Sequence, residues 1–276
     1  MRFTNRSFGV EIEISDCDVT EGRLANLITL NGVQCNFESY NHNTRRHWKI
    51  VSDSSLRGRR TMEIVSPPLS GAEGAEALRT VCKVLNENNA KVNRSCGMHV
   101  HHDASDFNRS GLRNVQMFYA KFEKVIDWFM PRSRRNRGND YCGTMVRDND
   151  VEDTVRWIET QTNNNHGTYH GRYYKLNMSA YMRHGTIEFR QHGGTVEYRK
   201  IIAWVVFTQA IVEYARTKKV RATGQVTLAK LFNTLGWYNK AERDTITEKS
   251  VRFLSKRFNH FVEEAGATIT NKTDLR

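Results

Sequence analysis

Glu11 and Glu13 sit two apart in the run Phe8-Gly9-Val10-Glu11-Ile12-Glu13. In an extended chain, residues two apart share a face, so Val10, Ile12 and Ile14 take the opposite one. Two carboxylates held side by side repel, and a divalent cation relieves that repulsion; solvated glutamates on an amphipathic strand give the same pattern. The run Cys96-Gly97-Met98-His99-Val100-His101-His102 repeats the arrangement with His99 and His101. Imidazole ligates borderline metals and hydrogen-bonds to phosphate. Cys96 beside three histidines also admits zinc, and a solvated strand would need no ligand at all. In Thr186-Ile187-Glu188-Phe189-Arg190, Glu188 and Arg190 share a face above Ile187 and Phe189. That pair reads either as an ordinary surface ion pair or as a metal-binding carboxylate beside a guanidinium that stabilises a transferring phosphoryl group.

Three strands far apart in sequence thus place polar pairs on one face and apolar residues on the other. Glu63, in Thr61-Met62-Glu63-Ile64-Val65, adds a fourth carboxylate on a similar strand. In one sheet these strands would line a single charged concavity, the arrangement that metal-bridged nucleotide chemistry needs.

The elements that must carry these residues follow from periodicity. Alternation predicts strands over 8–15, 33–38, 47–51, 60–65, 98–102, 173–179 and 186–191. Helical spacing predicts helices over 21–30, 72–87, 111–130 and 196–216, the last apolar nearly all round. Two or three more helices are expected over 227–264. The stretch 132–172, rich in Arg, Asn and Asp, reads as one long loop. The expected fold is α+β: an antiparallel sheet with helices packed on one face and an open, wet, catalytic second face. The expected organisation is a catalytic domain over 1–220 and a helical extension over 221–276.

With 276 residues and 38% hydrophobic composition, the chain can bury a sizeable core. Five scattered cysteines without a C-x-x-C pair point to reduced thiols and a cytoplasmic setting. Nothing near the first residues reads as a secretory leader, and the longest apolar run, about 201–212, is too short to span a membrane. The net charge of +12 should draw anionic partners such as nucleotides, acidic peptides or nucleic acid. A basic surface tuned for solubility gives the same number.

Taken in order, the segments FGVEIEI, WKIVSDSSL, MEIVSPPLSG, CGMHVHHD, YKLNMSA and GTIEFRQHGGT resemble the amidoligase family of carboxylate–amine ligases, relatives of glutamine synthetase and glutamate–cysteine ligase. The resemblance implies a glutamine-synthetase-like sheet and an ATP-dependent enzyme forming an amide bond, with Mg2+ or Mn2+ as cofactor. It implies that Glu11, Glu13, Glu63, Glu188 and His99 hold the cations. Arg190, with His101, would contact ATP phosphates or an acyl phosphate, and Asn177 would touch nucleotide or substrate. Asp53, from the Ser-Asp-x-Ser segment, is placed near the amine. His102 is left with two destinations, outward or into the site.

Three lesser features can be read from the residues alone. The run Arg132-Ser133-Arg134-Arg135-Asn136-Arg137 could grip an acidic substrate or a nucleic-acid backbone, and a solvated loop reads equally well; Asp53, Arg134 and, at the far end of the stretch, Arg172 are the substrate-binding candidates. Asn163-Asn164-Asn165-His166 reads as a flexible lid. His192-Gly193-Gly194-Thr195 offers either backbone N–H groups to a phosphate or, more simply, a tight turn with Thr195 as N-cap. Two other functions compete with the ligase: a zinc hydrolase built on Cys96, His99 and His101, and a basic nucleic-acid-binding protein without catalysis. The substrates expected are small-molecule or peptide carboxylates and amines, or a nucleic-acid-linked one given the charge, with no membrane partner.

Overall fold

The computed structural model describes residues 1–135, 139–148, 150–160, 171–224 and 226–266. They divide into two compact units: a strand-rich one, Thr4–His102 with His192–Val205, and a helix-rich one, Met1–Phe3 with Asp103–Gln191 and Val206–Arg276.

The strand-rich unit holds β1 (Phe8–Ile14), α1 (Glu21–Leu30), β2 (Cys35–Phe37), β3 (Trp48–Val51), β4 (Met62–Val65), α2 (Gly71–Glu87) and β5 (Gly97–Asp103). The strand order is β2-β3-β4-β1-β5. Every neighbour is antiparallel except the pair β2 and β3. Alternation does what the sequence requires of it. Ile12, Ile14, Met62, Ile64, Met98 and Val100 are fully buried, each contributing about 1.5–3 kcal/mol of burial free energy. Helix α1 lies against β2 and β3, and α2 against α1. Helix α2 buries Ala75, Leu78, Val81, Cys82 and Leu85, a stripe at helical spacing. It stops where Asn89 takes the left-handed conformation at φ 51°, which asparagine tolerates better than most residues.

The helix-rich unit holds α3 (Arg109–Ile126), α4 (Val151–Thr160), β6 (Leu176–Asn177), α5 (Ser179–His184), β7 (Thr186–Gly193), α6 (Tyr198–Thr217), α7 (Leu228–Thr234) and α8 (Thr245–Glu264). In this unit lie the α6 residues from Val206 onward and the β7 residues up to Gln191. Strands β6 and β7 are antiparallel. Asn108 caps α3 by accepting the Gly111 N–H at 2.9 Å, and Asp244 caps α8 by accepting that of Thr247 at 2.7 Å. Phe129 packs edge-on against Phe207 and stacks on Phe232, and Trp237 closes on both Phe207 and Phe232.

The architecture is the expected α+β with mostly antiparallel strands. Three local expectations change. The stretch 132–172 contains the helix α4, whose Val155 and Ile158 are buried, and a short 3-10 turn at Arg132–Arg134. The strand expected over 173–179 shrinks to Leu176–Asn177. There the Asn177 side chain accepts the Ser179 N–H at 2.9 Å, turning the chain into α5, which Gly185 ends at φ 65°. The helix expected over 111–130 tightens into a 3-10 turn at Asp127–Phe129. No described helix is long and apolar enough to cross a membrane. Residues 136–137 of the basic run and the lid at 163–166 lie outside the described residues.

Candidate active site

Strand register decides which polar residues meet. Across β1 and β4, Glu13 is paired with Glu63 and Glu11 with Val65; across β1 and β5, Glu11 is paired with His99 and Gly9 with His101. Paired residues lie on the same side of a sheet, so Glu11, Glu13, Glu63, His99 and His101 share one face, opposite the aliphatic core. Glu11 Oε2 meets His99 Nδ1 at 3.0 Å, and Glu11 Oε1 meets His101 Nε2 at 3.2 Å. Glu13 turns one oxygen to the Gly97 N–H at 2.5 Å and the other towards His99 Nε2 at 3.8 Å.

Two groups of donors in this unit lie close enough to hold a cation. Glu11, Glu63 and His99 form one, and Glu13, Asp53 and Glu63 the other, with donor atoms within 4.8 Å of one another in each. Glu63 belongs to both. Oxygen-rich donors with one imidazole suit a hard divalent ion such as magnesium or manganese. The electrostatics agree. Burial pushes the Glu63 carboxyl well above the usual carboxylate range, and Glu11, Glu13 and Asp53 push it further. Burial also raises Glu11, but His101 and His99 outweigh it and hold that carboxyl well below the usual range. Glu63 thus bears the crowding of the three carboxylates around it, and a cation would relieve it.

Asp53 is anchored to this face by its loop. Its side chain accepts the Ser55 N–H at 2.8 Å. Further along the loop, Arg57 accepts from Asn93 Nδ2 at 2.6 Å and donates to Ser95 Oγ at 3.1 Å. A Cβ at Gly58 would stand 1.9 Å from the Ser15 carbonyl, so only glycine permits that approach. The sequence placed Asp53 near the amine; the structure places it in a metal-capable group.

The helix-rich unit brings together Asn177, Glu188 and Arg190. Asn177 and Glu188 are register partners. The Asn177 amide donates to Glu188 Oε2 at 2.6 Å, and an Arg190 NH1 donates to Glu188 Oε1 at 2.6 Å. Glu188 is buried while the Arg190 side chain keeps 11% exposure, so the guanidinium is steered yet reachable. Arg134 is buried, and its carbonyl accepts from Gln191 at 3.1 Å. Arg172 is exposed and lies over the Tyr173 ring at 5.1 Å.

His102 turns away from the site. It is fully buried on the core side, where desolvation pushes its pKa down to about 3. Cys96 is buried, desolvation raises its thiol, and it belongs to neither donor group. The Gly193-Gly194 turn serves packing. Gly194 donates to the Cys96 carbonyl at 2.8 Å, a Cβ there would stand 2.5 Å from that of Cys96, and Thr195 Oγ1 accepts the Glu197 N–H at 3.2 Å.

Sequence reasoning missed Lys49. It lies on the same face as the carboxylates, opposite Val65 in register. Though buried, it donates at 2.9 Å to the Asn41 carbonyl, the Asn41 side chain and the Asn43 carbonyl. It therefore fixes the loop beside β3, where Glu38 also binds Arg45 at 3.0 Å and His47 at 2.8 Å. The signal was present: in Trp48-Lys49-Ile50-Val51 a lone polar residue alternates with apolar ones.

Residues 4–212 match the family model described as "Putative amidoligase enzyme". None of the curated proteins matches the chain. Among solved structures, a crystal structure of a glutamine synthase homolog is similar at TM-score 0.40 and 11% identity, over 98% of this chain and 69% of that one. The complex between the prokaryotic ubiquitin-like protein Pup and its ligase PafA is similar at TM-score 0.42 and 9% identity, over 98% of this chain and 71% of that one.

Proposed function

The chain belongs to the amidoligase family, and from that premise we propose that it is an ATP-dependent carboxylate–amine ligase forming an amide bond through an acyl phosphate. The observation that carries the reading is the opposed pair Glu13 and Glu63 with Glu11, His99 and Asp53 around it. Such a concentration of carboxylates, Glu13 buried and Glu11, Glu63 and Asp53 half-buried, is costly unless cations occupy it.

Glu11, Glu13, Glu63, Asp53 and His99 would hold magnesium or manganese, with Glu188 as a further ligand. Bound there, the metal supplies charge neutralisation and alignment of phosphate oxygens. A substrate carboxylate oxygen attacks the γ-phosphorus of ATP, and the bond to the bridging oxygen breaks as ADP leaves. An amine then attacks the acyl carbon, phosphate departs, and the amine loses a proton. Arg190, steered by Glu188, stabilises the charge on the transferring phosphoryl group. His101 assists at the phosphates, and Asn177 orients Glu188 or contacts substrate. Catalysis belongs to residues 1–220. The basic side chains, Arg172 among them, favour an anionic substrate, peptide-borne or nucleic-acid-linked. Five buried free cysteines fit a reducing cytoplasm.

The test is oxygen transfer. A carboxylate labelled with heavy oxygen, turned over with ATP and an amine, should deliver one labelled oxygen to inorganic phosphate. Amide formation without label in phosphate would rule out the acyl phosphate. Amide hydrolysis that needs no ATP would rule out the ligase.

A further inference from the structure

Lys175, immediately before β6, is fully buried, and its ammonium donates to Glu123 Oε1 at 2.8 Å, Asp127 Oδ1 at 2.6 Å and the Arg135 carbonyl at 3.0 Å. The two carboxylates reach further. Glu123 accepts the Thr144 hydroxyl at 2.5 Å and the Met145 N–H at 2.6 Å. Gln191 Nε2 donates to Asp127 at 2.5 Å and to the Arg134 carbonyl at 3.1 Å, and the Tyr119 hydroxyl donates to Gln191 Oε1. One lysine and its partners thus tie residues 134–135 and 144–145 to the end of α3 and to the strands β6 and β7.

Between those ties the Tyr141 carbonyl accepts from Arg190 Nε at 3.5 Å. The backbone closes the arrangement: the Arg190 N–H donates to the Lys175 carbonyl at 2.8 Å, and the Lys175 N–H donates to the Gly143 carbonyl at 2.9 Å. Arg190 is therefore held on one side by Glu188 and on the other by a segment that Lys175 anchors. Buried ions cost more than well-packed apolar residues of similar volume, and their best-attested return is a unique arrangement. Lys175 with two carboxylates is an expensive way to fill a core and an effective way to fix a segment.

We propose that Lys175 is a positioning residue: through Glu123 and Asp127 it sets the 139–145 segment, and with it the Tyr141 carbonyl, against Arg190, and so aims the guanidinium. The catalytic consequence rests on the proposed role of Arg190; the aiming itself does not.

Lys175→Met alone would strand two buried carboxylates and melt early, so the informative variant combines it with Glu123→Gln and Asp127→Asn. Gln191→Met, which cuts the tie from Asp127 to Arg134 and the bond from the Tyr119 hydroxyl, gives the same comparison with the ion pairs intact. The readout is the Arg190 Nε–H resonance of the full chain, identified by its loss in Arg190→Lys. Exchange of that proton with water should be about tenfold faster in the triple variant, and faster in Gln191→Met, because the segment opens locally. The same chemical shift and exchange rate as wild type in either cooperatively melting variant would overturn the proposal. With a carboxylate and amine pair that wild type turns over, kcat should fall by up to about a hundredfold while KM for ATP stays within about twofold. Unchanged kcat in a folded variant whose resonance has changed would overturn the role of Arg190 and not its aiming. If wild type turns over no pair, the ligase reading fails and the resonance alone decides the positioning.

Discussion

Glu13 and Glu63 stand directly opposite one another as register partners of the antiparallel strands β1 and β4. Like charges so placed destabilise a sheet, and burial together with Glu11, Glu13 and Asp53 drives the Glu63 carboxyl far up. Glu63→Gln should therefore leave the metal-free protein as stable as wild type or up to about 1 kcal/mol more stable. The same variant should lose most of the stabilisation that magnesium and ATP give wild type. Thermal unfolding with and without ligand checks both halves; a variant that keeps the full ligand response contradicts the assignment of Glu63.

Arg190 is steered by Glu188 at 2.6 Å and is assigned to charge that develops during phosphoryl transfer. Arg190→Ala should lower kcat about 10²–10³-fold with little change in KM for ATP. Steady-state ADP release measures this. An effect confined to KM would make Arg190 a ground-state contact.

Much of this site was legible because the period-2 rule sorts side chains by face whatever the partner strand. Glu11, Glu13, Glu63, His99 and His101 all fell on the charged side, and Met98, Val100 and Ile12 on the other. His102, left between outward and the site, took neither: it is buried with the core, as strict alternation from His101 requires. What stayed hidden depends on pairing and on loops. That Glu13 meets Glu63 while Glu11 meets His99 is a matter of register, which one strand cannot reveal. Asp53 joins the carboxylates because its loop is held by Ser15, Asn93 and Ser95, residues with no local signature. Helix α4 was lost in a polar stretch because its stripe of Val151, Val155 and Ile158 is short and set among Glu, Asp, Thr and Arg. The short strand β6 was overextended because Ser179 looks strand-like until the Asn177 side chain caps the turn.

Gly194 separates two readings of the glycine turn. Gly194→Ala would bring a Cβ to 2.5 Å from that of Cys96, and overpacking of this kind costs about 1–3 kcal/mol. Denaturant unfolding should show that loss with nucleotide affinity unchanged in the folded fraction. Native stability with weakened nucleotide binding would return the turn to phosphate binding.

Asp127 should leave a mark on the pH dependence of folding. Burial, opposed by Lys175, pushes its carboxyl up to about 6 from an ordinary 3.8. The folded state thus holds this proton more tightly than the unfolded chain, so its contribution favours folding increasingly as pH falls from about 6 towards 3.8 and opposes it by a constant amount above that window. The stability of wild type minus that of Asp127→Asn should be flat above the window and rise within it on acidification. A difference that falls on acidification would reverse the assignment.

The account turns on cations and ATP binding at the face that Glu11, Glu13, Glu63, Asp53 and His99 share, and thermal unfolding of wild type and Glu13→Gln with and without magnesium and ATP tests it most directly. At about a hundredfold excess over Kd, ligand binding should add about 2.7 kcal/mol to wild type, in a magnesium-dependent way that Glu13→Gln loses. No nucleotide response in wild type, or an equal response in Glu13→Gln, would contradict the central claim.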